Sequence, residues 1–230
     1  MTVWKYNGAL DRLQLSEGCE VEVAGHRLWH FDLESGPVPF EPPRFMFVDP
    51  PYSAGLARGY RTKAGVDGDS GRAVDFDLLL DRIMRAAGGA PVVMEGSVQP
   101  GAEDLMRAAF ERAGYKVLGR VDITYGGKTG RAILVFGHLM PDGVKWPEIM
   151  RACLGQDDEV VPEIIMTALL AQGYLNGGDV VADPCTGRGL TPVTADRLGL
   201  KFVGTELSHG RLAVAVEKLA EQTGQPVTLQ

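Results

Sequence analysis

The sequence predicts an α/β protein built on a mostly parallel, doubly wound sheet, and three observations carry that prediction. Short apolar runs of strand length alternate with segments of helical periodicity through most of the chain. Two of those runs end in acid–proline punctuation, FMFVDPPY at 45–52 and VVADPCTGRG at 180–189. In open sheets of this kind ligands sit at the carboxyl ends of strands, near the point where the strand order reverses. One late pair, YKVLGRVDITY and RAILVFGH around GGKTG, reads as a hairpin and brings in one antiparallel strand.

In chain order, CEVEVAG alternates as a strand, and HRLWHFD follows it across a glycine turn. ESGPVPFEPPR is a proline-rich loop, and Phe45–Val48 is a buried strand that Pro50 and Pro51 stop. Residues 53–72 are glycine-rich and read as a mobile loop. Apolar residues at helical spacing then run from Val74 to Ala87, with Gly88-Gly89 as the stop. APVVMEG is a strand, Ala102–Ala113 an amphipathic helix, and the hairpin follows. Residues 141–158 read as polar and irregular. Pro162 opens a helix that Gly173 closes. GDVVADP is a strand, LTPVTADRLG a helix and KFVGTEL a strand, and Ser208 is placed to cap the last helix.

Composition narrows the classes. The 230 residues, 45% of them hydrophobic, suffice for one domain with a substantial core. No apolar run is long enough for a membrane span, and the first residues lack a secretory core segment. Cys19, Cys153 and Cys185 stand apart with no CxxC, and the four histidines show no ligand spacing. A cytoplasmic setting and no metal are therefore expected. The net charge of −7 means that any polyanion must meet a local basic patch. Trp4, Trp29 and Trp146 read as packing anchors.

Two strand ends carry the chemistry. After the strand ending at Asp183, Pro184, Cys185 and Thr186 lead into Gly187 and Gly189, where a backbone without Cβ atoms can bend sharply and approach a ligand. The next strand ends in Glu206, placed to accept ribose hydroxyls. Together they describe a site for an adenosine-bearing ligand. At the other end, Asp49 supplies a carboxylate, Pro50 a carbonyl with no competing N–H, and Tyr52 an aromatic face. Two acceptors suit a group with two N–H bonds to give, an exocyclic amine, and the ring suits a planar base. An aryl amine is a weak nucleophile because its lone pair is delocalised. Two fixed acceptors can turn its hydrogens out of plane and leave the pair aimed at an electrophile.

DPPY at 49–52, DPCTGRG at 183–189 and GTEL at 204–207, in that order, resemble the S-adenosylmethionine-dependent amino-methyltransferases of DNA, and in particular their circularly permuted group. The resemblance implies a Rossmann-like methyltransferase domain. Residues 1–40 would form N-terminal strands and a proline-rich loop, 41–138 the catalytic half, 139–158 a short recognition or linker segment, and 159–230 the cofactor half. It implies that Asp49, Pro50, Pro51 and Tyr52 hold the target amine and base. Asp183, Pro184, Cys185, Thr186, Gly187, Gly189, Glu206, Pro162 at a helix start, and Asp32 after the third strand of the family's order would hold S-adenosylmethionine. Val161 stands where the family often has lysine. Arg58, Tyr60, Arg61 and Lys63 form a basic loop beside the catalytic strand end, placed for phosphates, and Lys128 and Arg131 of the hairpin are secondary candidates.

The expected activity is methylation of a flipped base in DNA, most often adenine N6 in members with this Asp/Tyr pattern, with cytosine N4 as the second choice. The short 139–158 segment implies short or relaxed specificity, or help from a second subunit or specificity partner, as in orphan enzymes of phages and mobile elements. Rival readings keep the chemistry on RNA or on a glutamine amide, or make the chain a silent binding subunit.

Overall fold

The computed structural model describes residues 18–51, 59, 61, 62, 64, 76–97, 101–139 and 141–230. Among these residues nine strands form one sheet: β1 (Glu20–Val23), β2 (His26–His30), β3 (Phe45–Val48), β4 (Val92–Ser97), β5 (Lys116–Tyr125), β6 (Lys128–Gly137), β7 (Val180–Asp183), β8 (Lys201–Glu206) and β9 (Val227–Leu229). Their order is β5-β6-β4-β3-β7-β8-β2-β1-β9. The five central strands, β4, β3, β7, β8 and β2, are mutually parallel. The expected hairpin places β6 antiparallel between β4 and β5. At the other edge β1 folds back on β2, and the short β9, unforeseen in the sequence, pairs with β1.

Six helices cover the sheet among the described residues: α1 (Phe76–Ala87), α2 (Ala102–Arg112), α3 (Trp146–Cys153), α4 (Val161–Ala171), α5 (Leu190–Arg197) and α6 (His209–Thr223). The period of two divides β3 between two cores. Phe45 and Phe47 face a cluster with Trp146 and Ile149 of α3, Ile165 and Leu169 of α4, and Leu212 and Val216 of α6. Met46 and Val48 face Leu80 and Ile83 of α1 and Met106 and Phe110 of α2. A strand buried on both faces needs an unbroken apolar run, and FMFV is one.

α3 corrects the irregular reading of 141–158. Trp146, Ile149, Met150 and Cys153 recur at helical spacing and are buried, and Pro147 sits in the first turn, where its missing N–H costs nothing. Ser208 occupies the cap position of α6, but no side-chain cap bond forms there. Trp29 and Trp146 are buried, as expected of packing anchors, while Trp4 lies outside the described residues.

Candidate active site

The sheet runs from β7 through α5 to β8 in one direction and from β3 through α1 to β4 in the other. The strand order therefore reverses between β3 and β7, which are hydrogen-bonded neighbours. At their carboxyl ends a cleft opens, lined by Asp49, Pro50, Pro51, Pro184, Cys185, Gly187 and Glu206, with Phe31, Asp32, Glu34, Arg61 and Arg211 around it. The two punctuated strand ends thus meet at the switch point, where such sheets bind ligands.

The β7–α5 loop is built on its own carboxylate. The Cys185 N–H donates to Asp183 Oδ1 at 2.9 Å and the Thr191 hydroxyl to Oδ2 at 2.8 Å. The Thr186 hydroxyl donates to the Asp183 carbonyl, and the Thr205 hydroxyl of β8 to the Pro184 carbonyl. Two glycines make this packing feasible. A Cβ on Gly189, whose φ is +85°, would lie 2.7 Å from Ala215 Cα, and one on Gly204 would lie 2.6 Å from the Asp183 carbonyl oxygen. Burial raises the Asp183 carboxyl to about 7 against the pull of its two donors.

Glu206 joins the ends of β7 and β8. Its Oε2 accepts from the Gly187 N–H at 2.8 Å and its Oε1 from the Ser208 N–H at 2.7 Å. A carboxylate has about four lone-pair positions, so each oxygen keeps capacity toward the cleft. Burial raises its pKa, opposed by those donors and by Arg211. Asp183, Thr186 and Gly189 shape the loop from beneath, and Pro162 is buried in the first turn of α4.

Asp49 stands differently. Its side chain is 51% exposed to the cleft, with Arg131 Nη1 3.9 Å from Oδ1. The cleft walls still desolvate the carboxyl and lift it to about 6, and Arg131 and Arg211 oppose the rise. Pro50 behind it is buried.

The basic-loop expectation needs one correction. Arg61 is helical and only 7% exposed, and it turns inward. Its Nη1 donates to both Asp32 oxygens, at 3.0 and 2.8 Å, and lies 3.3 Å from Glu34 Oε2. A guanidinium shared by two carboxylates in a cleft wall is not presented to a phosphate. Asp32 lines the cleft beyond β2, where the sequence reading puts it. Tyr52, Arg58, Tyr60 and Lys63 lie outside the described residues.

Phe31, Arg211 and Glu95 escape the sequence reading, and Arg131 enters it only as a secondary phosphate candidate. Phe31 and Arg211 line the cleft, and Arg211 has a signal in its place one turn into the helix after Glu206. Glu95 and Arg131 approach Asp49 from β4 and β6. Glu95 also has a signal, as a carboxylate inside the apolar run VVMEGS.

No protein-family model and no curated protein sequence matches the chain. Solved structures do. TTHA0409 of Thermus thermophilus, named a candidate DNA modification methylase and solved with S-adenosyl-L-methionine, superposes with a TM-score of 0.58 at 18% identity over 86% of this chain and 94% of that one. The M1.HpyAVI–SAM complex gives 0.54 at 15% identity over 78% and 89%. PvuII DNA methyltransferase, cytosine-N4-specific, gives 0.52 at 11% identity over 87% and 92%. At these identities the likeness is one of architecture, and the chain has the Rossmann-like fold on which these DNA methyltransferases are built.

Proposed function

We propose that this chain transfers a methyl group from S-adenosylmethionine to the exocyclic amino group of a base in DNA, adenine N6 in the first instance. The observation that carries the reading is the meeting of Asp49 with the Asp183–Gly189 loop and Glu206 in one switch-point cleft, although DPPY and DPCTGRG are far apart in the chain.

The residues suit the cofactor. Glu206 retains acceptor capacity for ribose hydroxyls beside the Gly187 backbone. Phe31, Leu207 and Pro184 offer apolar walls to an adenine ring, and Asp32 is an acceptor at that end. The carboxyls of Asp49, Asp183 and Glu206 are all raised by burial, so a cation brought among them is favoured. When bound, S-adenosylmethionine supplies an electrophilic methyl on a sulfonium centre. Asp49 and the Pro50 carbonyl would accept the two amine N–H bonds and orient the lone pair, with Tyr52 stacked on the base. A paired base hides its amine in the stack, so the target would be extruded.

The DPPY pattern supports adenine over cytosine. Short or relaxed sequence preference is supported by the fate of 139–158. That segment folds into the body through α3 and bonds the hairpin, where the Thr124 N–H donates to Gln156 O and the Asp158 N–H to Thr124 O. A second subunit or specificity partner would supply any longer readout. The decisive experiment is transfer of labelled methyl to unmethylated duplex DNA, single-stranded DNA and RNA, followed by nucleoside mass spectrometry. N6-methyladenine in DNA is the expected product. N4-methylcytosine would change the base, label in RNA would change the substrate, and no label with cofactor bound would make the chain a silent subunit.

A further inference from the structure

We infer that Arg131, clamped by Glu95, is a positioning residue for the Asp49 carboxylate, acting from the side of the cleft opposite the cofactor loops. The inference rests on the methyltransferase reading. In the strand order β6-β4-β3-β7-β8, Glu206 and the Asp183 loop lie on one side of β3, and Arg131 of β6 and Glu95 of β4 on the other. That second side is the one left for a substrate.

Three contacts hold the guanidinium. Its Nη1 is 2.7 Å from Glu95 Oε1 and 3.9 Å from Asp49 Oδ1, and its Cζ lies 4.6 Å from the centre of the Tyr125 ring. The hairpin tip that carries Tyr125 is itself tied down, since the Gly127 N–H donates to Asp157 Oδ2 at 3.1 Å. Glu95 is 3% exposed in an apolar strand, where burial and the neighbouring carboxyls raise its pKa to about 9, and a polar group so placed needs a hydrogen-bonding partner. A site for Arg131 accounts for it.

Ionised, Asp49 offers an amine its strongest acceptor; protonated, it accepts more weakly and brings a competing O–H donor. The titratable and charged groups that act on it or feel it are Arg131 from β6, Arg211 from α6, Glu95 from β4, Asp158 from the α3–α4 segment, Asp183 from β7 and the Cys185 thiol just beyond it. With Asp49 itself, four carboxyls therefore share two arginines. Arg211 belongs to the cofactor cleft, which leaves Arg131 as the cation on the substrate side among the described residues.

The test is the pH dependence of kcat and KM for methyl transfer to DNA by wild type, Arg131→Met, Arg131→Lys and Glu95→Gln, with cofactor affinity by calorimetry. Arg131→Met should move the acid limb of kcat up by about one pH unit, with a loss on the order of fivefold at pH 6 and little at pH 8. Cofactor affinity should hold. Arg131→Lys keeps the charge and should return the limb to its wild-type place. Glu95→Gln keeps Arg131 and should not raise the limb. An equal loss at every pH in Arg131→Met, or the same limb in the Met and Lys variants, would reduce Arg131 to hairpin packing and overturn the inference. A wild type that methylates no DNA would overturn the functional reading and this assignment with it, whereas an active wild type with an unmoved limb in Arg131→Met overturns this assignment alone.

Discussion

The carboxylates on the two sides of the β3–β7 junction have opposite relations to the chain. Asp183 and Glu206 spend an oxygen each way on the protein's own donors: Cys185 and Thr191 for the first, Gly187 and Ser208 for the second. They are scaffold before they are site. Asp49 is half exposed, at the end of a strand stopped by two prolines, and looks across the cleft at arginines. The contrast shows how one cleft divides its work. Carboxylates that shape the loops after β7 and β8 are bonded inward, and the one proposed to meet a substrate is half exposed to the cleft.

If that division holds, substitutions should separate activity from stability. Asp49→Ala should have the largest effect on transfer, a loss of roughly 10²–10³-fold or more. Cofactor affinity should stay within a few-fold and the melting temperature should not fall. Calorimetry showing lost binding would move Asp49 into the cofactor site and break the comparison. Glu206→Ala should do the reverse of a clean catalytic loss. It strands the Gly187 and Ser208 N–H groups, so stability should drop by about 1–3 kcal/mol while cofactor affinity also weakens. Unchanged affinity would remove the ribose role.

Smaller effects sharpen the picture. The Asp183 carboxyl is raised to about 7 in the fold from an ordinary 3.8, so the folded state holds its proton more tightly than the unfolded state does. Its contribution to stability therefore falls as pH rises from about 4 to about 7 and is flat above. Thermal melts from pH 5 to pH 8 should show a decline, and Asp183→Asn should flatten it by on the order of 1 kcal/mol, roughly 2–4 °C. The Thr191 hydroxyl can turn to accept from the new amide, so little should be lost at pH 5. Arg61→Met should leave the salt dependence of DNA binding unchanged while weakening cofactor binding or stability, because Arg61 is engaged with Asp32 and Glu34. A flatter salt slope would put Arg61 back on the DNA.

Much of this is legible in one dimension. The period of two in FMFV, the helical spacing around Leu80 and Ile83, and the acid–proline endings of β3 and β7 are local signals, and local signals survive in a sequence. The helix at 146–153 is equally local. It escapes notice because polar residues interrupt a stripe that Trp146, Ile149, Met150 and Cys153 complete only at helical spacing. Arg61 misleads for another reason. A run of basic residues looks solvated until a neighbour distant in the chain, here Asp32 just beyond β2, claims one of them.

The alternation of strands and helices, the antiparallel hairpin and the residues at each strand end are properties of the sequence alone. They follow from side-chain periodicity and from what proline and glycine allow a backbone to do. Other features exist only once the chain is folded: β3 and β7 lie side by side, Glu206 bridges Gly187 and Ser208, Arg61 faces inward, and Arg131 with Glu95 stands over Asp49. Each of these depends on strand order and on side chains meeting across the sheet, and no local period encodes which distant residue will be the neighbour.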